Sequence, residues 1–149
     1  MKTLILALGN PILSDDAVGW EVADRLSPRM ADVDVIKEGS ATMDLIPTLA
    51  EYDRVIIVDA IQLGNVPLGS VHKFSLADFT STIRYSCPHD INFASSFALA
   101  KEMGYKIPDD IVIFAVEVKE LLKFAEGCSP EIAARLDGIA DEIAQQIAN

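Results

Sequence analysis

The sequence predicts an α/β fold, a doubly wound sheet in a single domain spanning residues 1–149. Three observations point there. Apolar runs such as "TLILALG" and "RVIIVDA" lack polar alternation, as strands buried on both faces do. Segments of helical periodicity lie between them, the rhythm of a mostly parallel sheet. A chain of 149 residues is also long enough to bury one substantial core.

"TLILALG" is the first strand, closed by Gly9. Val18, Val22 and Leu26 then recur at helical spacing until Pro28. "VDVIK" reads as the second strand and "MDLIPTLAEY" as a helix, with Pro47 confined to its first turn. "RVIIVDA" is the third strand, stopped by Asp59. Right-handed crossovers place the first strand between the second and third. "IQLGNVPLG" then offers only nine residues before "SVHKFSL". A helical crossover needs about a dozen or more, so the fourth strand runs antiparallel at an edge, and His72 within it is read as structural. After an irregular stretch over 77–88, "DINFASSFALAKEMG" is a helix and "DIVIFAV" the fifth strand. "SPEIAARLDGIADEIAQQIAN" closes the chain as one helix. Ser129 is its N-cap, Pro130 lies in its first turn, and Ile132, Leu136, Ile139, Ile143 and Ile147 form its core stripe.

Twelve basic against twenty-three acidic residues leave a net charge of −11, which argues against a nucleic-acid partner. No apolar run approaches the roughly 20 residues of a membrane span. The first apolar segment is too short and too weakly charged at its front for a signal peptide. The expectation is a cytoplasmic protein with no membrane insertion. Cys87 and Cys128 are isolated, with neither the density nor the spacing of a disulfide framework or a structural zinc site.

In "LGNPILSDDAVGW", Asp15 and Asp16 follow strand one, and Asp59 ends strand three. Both positions lie at the carboxyl edge of the sheet, where doubly wound folds hold their ligands. An antiparallel fourth strand finishes at the opposite edge. The stretch over 77–88 must therefore carry the chain back before the next helix starts, returning His89 to the edge of Asp16 and Asp59. Two carboxylates and an imidazole make a partial shell for zinc, nickel or a similar divalent ion, with positions open to water or substrate. Bland readings stand beside this one. Asp15 or Asp16 can cap the following helix, Asp59 can serve as a turn former, and His89 can cap its own helix. Cys87, two residues before His89, is a weaker candidate nucleophile because no base-orienting partner is evident.

Asp15, Asp16, Asp59 and Lys119 also follow the order of a receiver-like phosphoacceptor signalling domain. The details fit that class poorly: the acidic pair stands six residues beyond Gly9, and the link to the fourth strand is short.

"LGNPILSDDAVGWEVADRL" resembles the N-terminal signature of the nickel-dependent hydrogenase maturation endopeptidases: a G-N, a short loop, an acidic pair with a nearby glycine, then a helix. "VIIVDA" is similar to their second acidic segment, "CPHDINF" to their histidine motif, and the stretch from "IPDDIVIFAV" to "LDGIADEI" to their C-terminal pattern. The resemblance runs the length of the chain.

It implies a three-layer α/β/α fold, phosphorylase/hydrolase-like, with a five-stranded mixed sheet in order 2-1-3-5-4 and strand 4 antiparallel. It implies an endopeptidase that removes a C-terminal extension from the precursor of a [NiFe] hydrogenase large subunit. The nickel arrives with that substrate, and another divalent transition metal can occupy the same site. Asp16, Asp59 and His89 are then both the metal-recognising and the catalytic set. Asp15, read as helping to start the helix, and Glu38, in the "KEGSA" segment after strand two, are possible additional site residues. A non-catalytic, metal-dependent binding protein of the same fold is the remaining alternative.

Overall fold

A computed structural model describes residues 1–39, 43–78 and 91–148. Five strands form one sheet: β1 (Thr3–Leu8), β2 (Val33–Glu38), β3 (Arg54–Ile61), β4 (Val71–Ser75) and β5 (Asp110–Glu117), in the order β2-β1-β3-β5-β4. β1, β2, β3 and β5 are mutually parallel, and β4 runs antiparallel on β5, from Val71 opposite Val116 to Ser75 opposite Val112. The order and the reversal of the fourth strand are those expected from the sequence.

Alternation along the strands divides the core into two layers. Leu4, Leu6, Leu8, Val55, Ile57 and Ile61 meet Ile46 and Leu49 of α2 (Ile46–Leu49) and Phe97 and Ala100 of α3 (Ile91–Glu102). Ile5, Ala7, Ile56 and Val58 face the other way, onto Val18, Val22 and Leu26 of α1 (Val18–Leu26). Ile132 of α4 (Pro130–Ala133) and Leu136, Ile139 and Ile143 of α5 (Leu136–Ala148) complete that layer. With both faces covered, a one-residue slip of β1 would exchange its whole side-chain set between layers. Its register is correspondingly definite: Leu6 lies opposite Ile36 of β2 and Ile57 of β3.

Several elements differ from expectation in their boundaries. β3 is not stopped by Asp59 but stays paired with β5 through Ile61, so Asp59 lies within the strand and forms no turn. α1 does not stop at Pro28 but tightens into a 3-10 turn over Ser27–Arg29 that accommodates the proline. The "MDLIPTLAEY" helix shrinks to a 3-10 turn, Met43–Leu45, followed by the four residues of α2 with Pro47 in the first turn. The closing helix is interrupted between α4 and α5, where the Arg135 amide bonds the Ile132 carbonyl three residues back at 2.9 Å. The i→i+3 bond tightens the turn while Ile132 and Leu136 both stay in the core.

Candidate functional site

The site region is built where β1 ends. Gly9 has φ +150°, and a Cβ there would lie 2.0 Å from the Asp16 carbonyl oxygen, so the acidic turn can pass this closely only over a glycine. The chain leaves through residues 10–13 and returns as a 3-10 turn, Ser14–Ala17, that leads into α1. Gly19, in the first turn of α1, performs the second close approach: its Cβ would be 2.6 Å from the carbonyl oxygens of both Leu8 and Val58. The helix thus begins directly on the ends of β1 and β3, and Val58 is the residue before Asp59. Asp16 and Asp59 therefore share one corner of the carboxyl edge, and both are buried.

Asp16 accepts the Asn10 amide on Oδ2 at 2.9 Å, which turns its carboxylate back over the 10–13 loop. Asp59 accepts the Ala60 amide on Oδ1 at 2.8 Å. By strand alternation Asp59 belongs to the β3 face of Val55, Ile57 and Ile61, the face covered by α2 and α3. α3 begins at Ile91, two residues after His89. His89, Cys87 and Ser40 lie outside the described residues.

Neither acid of the pair caps a helix. The residues at the two cap positions are Leu13 and Ala17, and neither makes a side-chain capping bond. Asp15 is fully buried and faces the segment 118–129. Its carboxylate accepts the amides of Lys119 (3.1 Å), Glu120 (2.9 Å) and Ser129 (2.6 Å) and the Ser129 hydroxyl (3.0 Å). Both oxygens accept from donors of this segment, so the buried Asp15 carboxylate holds the loop in place. Ser129 does stand at the start of α4, but its hydroxyl goes to Asp15 and caps nothing.

Glu38 ends β2 half-buried, and its visible role is through its backbone: its carbonyl accepts the Gly9 amide at 3.0 Å and the Trp20 indole N–H at 3.3 Å. Among the described residues no three His, Cys, Asp or Glu side chains cluster as a metal shell. Lys119 directs its ammonium to Glu131 at 2.9 Å, and this bond raises its pKa. His72 lies in β4 as expected, its ring stacked 6.1 Å from that of Phe74.

Sequence reasoning missed Glu117. It ends β5 opposite Ile61, is buried, and its carboxylate accepts the Leu63 amide at 2.9 and 3.2 Å and the Gly64 amide at 3.3 Å. It thereby fixes the loop that leaves β3 just after Asp59. The available signal was an acid closing the apolar run "DIVIFAVE" at the carboxyl edge. Cys128 is a further product of the buried Asp15 cluster: burial, and secondarily the Asp15 charge, push its thiol up to about 12.

Fold and site together define a doubly wound α/β protein with two buried carboxylates at the crevice outside its strand ends. The chain belongs to the hydrogenase maturation protease family, a family of endopeptidases, whose family model matches residues 19–146. It is 27% identical over 150 residues to the hydrogenase 2 maturation protease of Escherichia coli K12, covering 96% of this chain and 88% of that protein. It is 24% identical over 151 residues to the hydrogenase expression/formation protein HupD of Rhodobacter capsulatus, covering 98% of this chain and 71% of that one. Among solved structures, the hydrogenase maturating endopeptidase HybD from Escherichia coli superposes with a TM-score of 0.80 at 24% identity, covering 99% of this chain and 93% of that one. The [NiFe] hydrogenase maturation protease HybD from Thermococcus kodakarensis gives 0.74 at 24% identity and covers all of both chains. Membership of this family overturns the receiver reading, whose Lys119 is in any case committed to Glu131. Among the described residues no helix is long and apolar enough to cross a membrane.

Proposed function

We propose that this chain removes a C-terminal extension from the nickel-loaded precursor of a [NiFe] hydrogenase large subunit, and that Asp16, Asp59 and His89 meet the nickel the precursor carries. The observation that supports this reading best is the convergence of Asp16 and Asp59 at one corner, produced by the two glycine contacts at positions 9 and 19. Carboxylates there suit a divalent cation, and the net charge of −11 adds a favourable field. α3, which begins two residues after His89, packs through Phe97 and Ala100 on the sheet face to which Asp59 belongs, and this supports an imidazole as the third member.

In this reading the three side chains orient the loaded precursor so that its scissile peptide bond is held beside the ion. An ion so placed supplies Lewis-acid polarisation of the bond or of an attacking water. Asp15 acts only through Asp16, as the buried post on which the acidic turn is fixed. The partner, its metal and a cytoplasmic site of action belong to the proposal.

Mass spectrometry of nickel-loaded and nickel-free precursors incubated with the protein tests it. Loss of a C-terminal peptide from the loaded form alone is the expected result. Equal cleavage of both forms overturns nickel recognition, and full processing by the Asp16→Asn variant removes Asp16 from any essential role.

A further inference from the structure

The segment 118–129 is a strap laid over the acidic turn. Asp15 holds it at both ends, through Lys119 and Glu120 on one side and Ser129 on the other. Its middle is bridged to the first loop: the Ala125 amide bonds the Ile12 carbonyl and the Ser14 amide bonds the Ala125 carbonyl, each at 3.0 Å. These two bonds make a parallel bridge with Leu13 opposite Ala125. The bridge register sets Ile12 level with Phe124. On this fixed support Ile12 is 49% exposed, Leu122 80% and Phe124 79%. Exposed apolar side chains on a loop so firmly bonded mark a contact surface.

The strap also has an unused edge. Ala125 turns both its amide and its carbonyl toward the first loop, so the trans peptide plane it shares with Phe124 directs the Phe124 carbonyl outward. Among the described residues Phe124 makes no backbone hydrogen bond. An open edge beside an apolar side chain suits an extended peptide, which gains main-chain bonds from the edge and specificity from the side-chain contact. The surface is contiguous with the candidate site: Ile12 donates its amide to the Asn10 side chain at 3.1 Å, and the Asn10 amide binds Asp16. A second copy of the chain is a poorer occupant. Three such side chains supply a few hundred Å² at most, well below the roughly 1,000 Å² of a specific interface, whereas a substrate has the rest of the crevice to contact.

We infer that the strap's outer edge at Phe124, flanked by Leu122 and Ile12, docks an extended, apolar segment of the precursor beside the cleavage site. The inference rests on the peptidase reading above. Its test is steady-state processing of the nickel-loaded precursor by the wild-type chain, by Leu122→Ser/Phe124→Ser, and by Leu99→Ser/Met103→Ser, whose residues are exposed on and just after α3.

The serine pair on the strap should raise KM about tenfold with kcat within about twofold, while the Leu99/Met103 pair stays near wild type. An unchanged KM for the strap variant, with a wild type that cuts, overturns the docking surface alone. A wild type that cuts no precursor overturns the peptidase reading and this surface with it. Sedimentation showing a wild-type dimer that the strap variant loses assigns the face to a second copy and overturns the inference.

Discussion

The carboxylate of Asp15 binds the amide of Ser129 at 2.6 Å across 114 residues of sequence, and it is the centre of four hydrogen bonds. Hydrogen bonds to a buried charge stabilise more than neutral ones, and removing their acceptor leaves several donors unsatisfied. Asp15→Ala should therefore cost about 3–5 kcal/mol. Ser129→Ala, which removes one donor of the four, should cost about 1 kcal/mol. Urea unfolding of both variants checks the ratio, and equal losses would show that Asp15 is not the organising group.

Gly19 sets a second test. A methyl group there would meet the Leu8 and Val58 carbonyl oxygens at 2.6 Å, and backbone cannot swing aside as a side chain can. Gly19→Ala should destabilise by about 1–3 kcal/mol and reduce processing further than the stability loss explains, because α1 carries the acidic turn. Gly138, inside α5 with open space around it, is the matched control. Gly138→Ala should stabilise by about 0.5–1 kcal/mol. Melting temperatures of the two variants should move in opposite directions.

Cys128 should be a sluggish thiol. Its pKa of about 12, against an ordinary 9.0, leaves thiolate about a thousandfold scarcer near pH 8. Peptide-resolved mass spectrometry after iodoacetamide treatment should show slow labelling of Cys128 in the native protein and rapid labelling in urea. Asp15→Asn removes the nearby charge and should speed native labelling.

Tyr52 donates its hydroxyl to Asp34 of β2 at 2.7 Å, and this bond, with some burial, raises its pKa from 10.0 to about 12. A folded-state value above the unfolded one stabilises the fold below the unfolded pKa, and the contribution disappears as pH rises through the folded value. The advantage of wild type over Tyr52→Phe should thus be constant up to about pH 10 and vanish by about pH 12. The pair is largely solvent-exposed, so the advantage at neutral pH should stay below about 1 kcal/mol. Paired denaturation curves at pH 8, 10 and 11.5 would read it; the same values at all three would refute the assignment.

The central position of β1 and the reversal of β4 were legible because they depend on local facts, apolar runs without alternation and a nine-residue link too short for a crossover, whereas the place of β5 between β3 and β4 followed only from the family resemblance. Asp16 and Asp59 were legible as neighbours for the same reason, since topology alone brings the ends of β1 and β3 together. The division of labour within the acidic pair was not. Asp15 and Asp16 have the same chemistry and adjacent positions, and what separates them is a strap more than a hundred residues away. Helix boundaries failed where tertiary demands acted on a few residues, as at the tightened turn before Arg135. Glu117 was hidden because its partners are backbone amides, which leave no mark in the sequence.

The position of β5 bears on how the chain reaches its native state. β5 is inserted between β3 and β4, although both precede it in sequence. Until residues 110–117 have been synthesised, β3 presents an unpaired apolar margin and β4 has no sheet to join. A nascent chain cut off before Asp110 would carry an adhesive strand edge, a template for non-native pairing. The last quarter of the molecule therefore acts as the keystone of assembly, and premature termination should yield aggregates rather than a smaller folded unit.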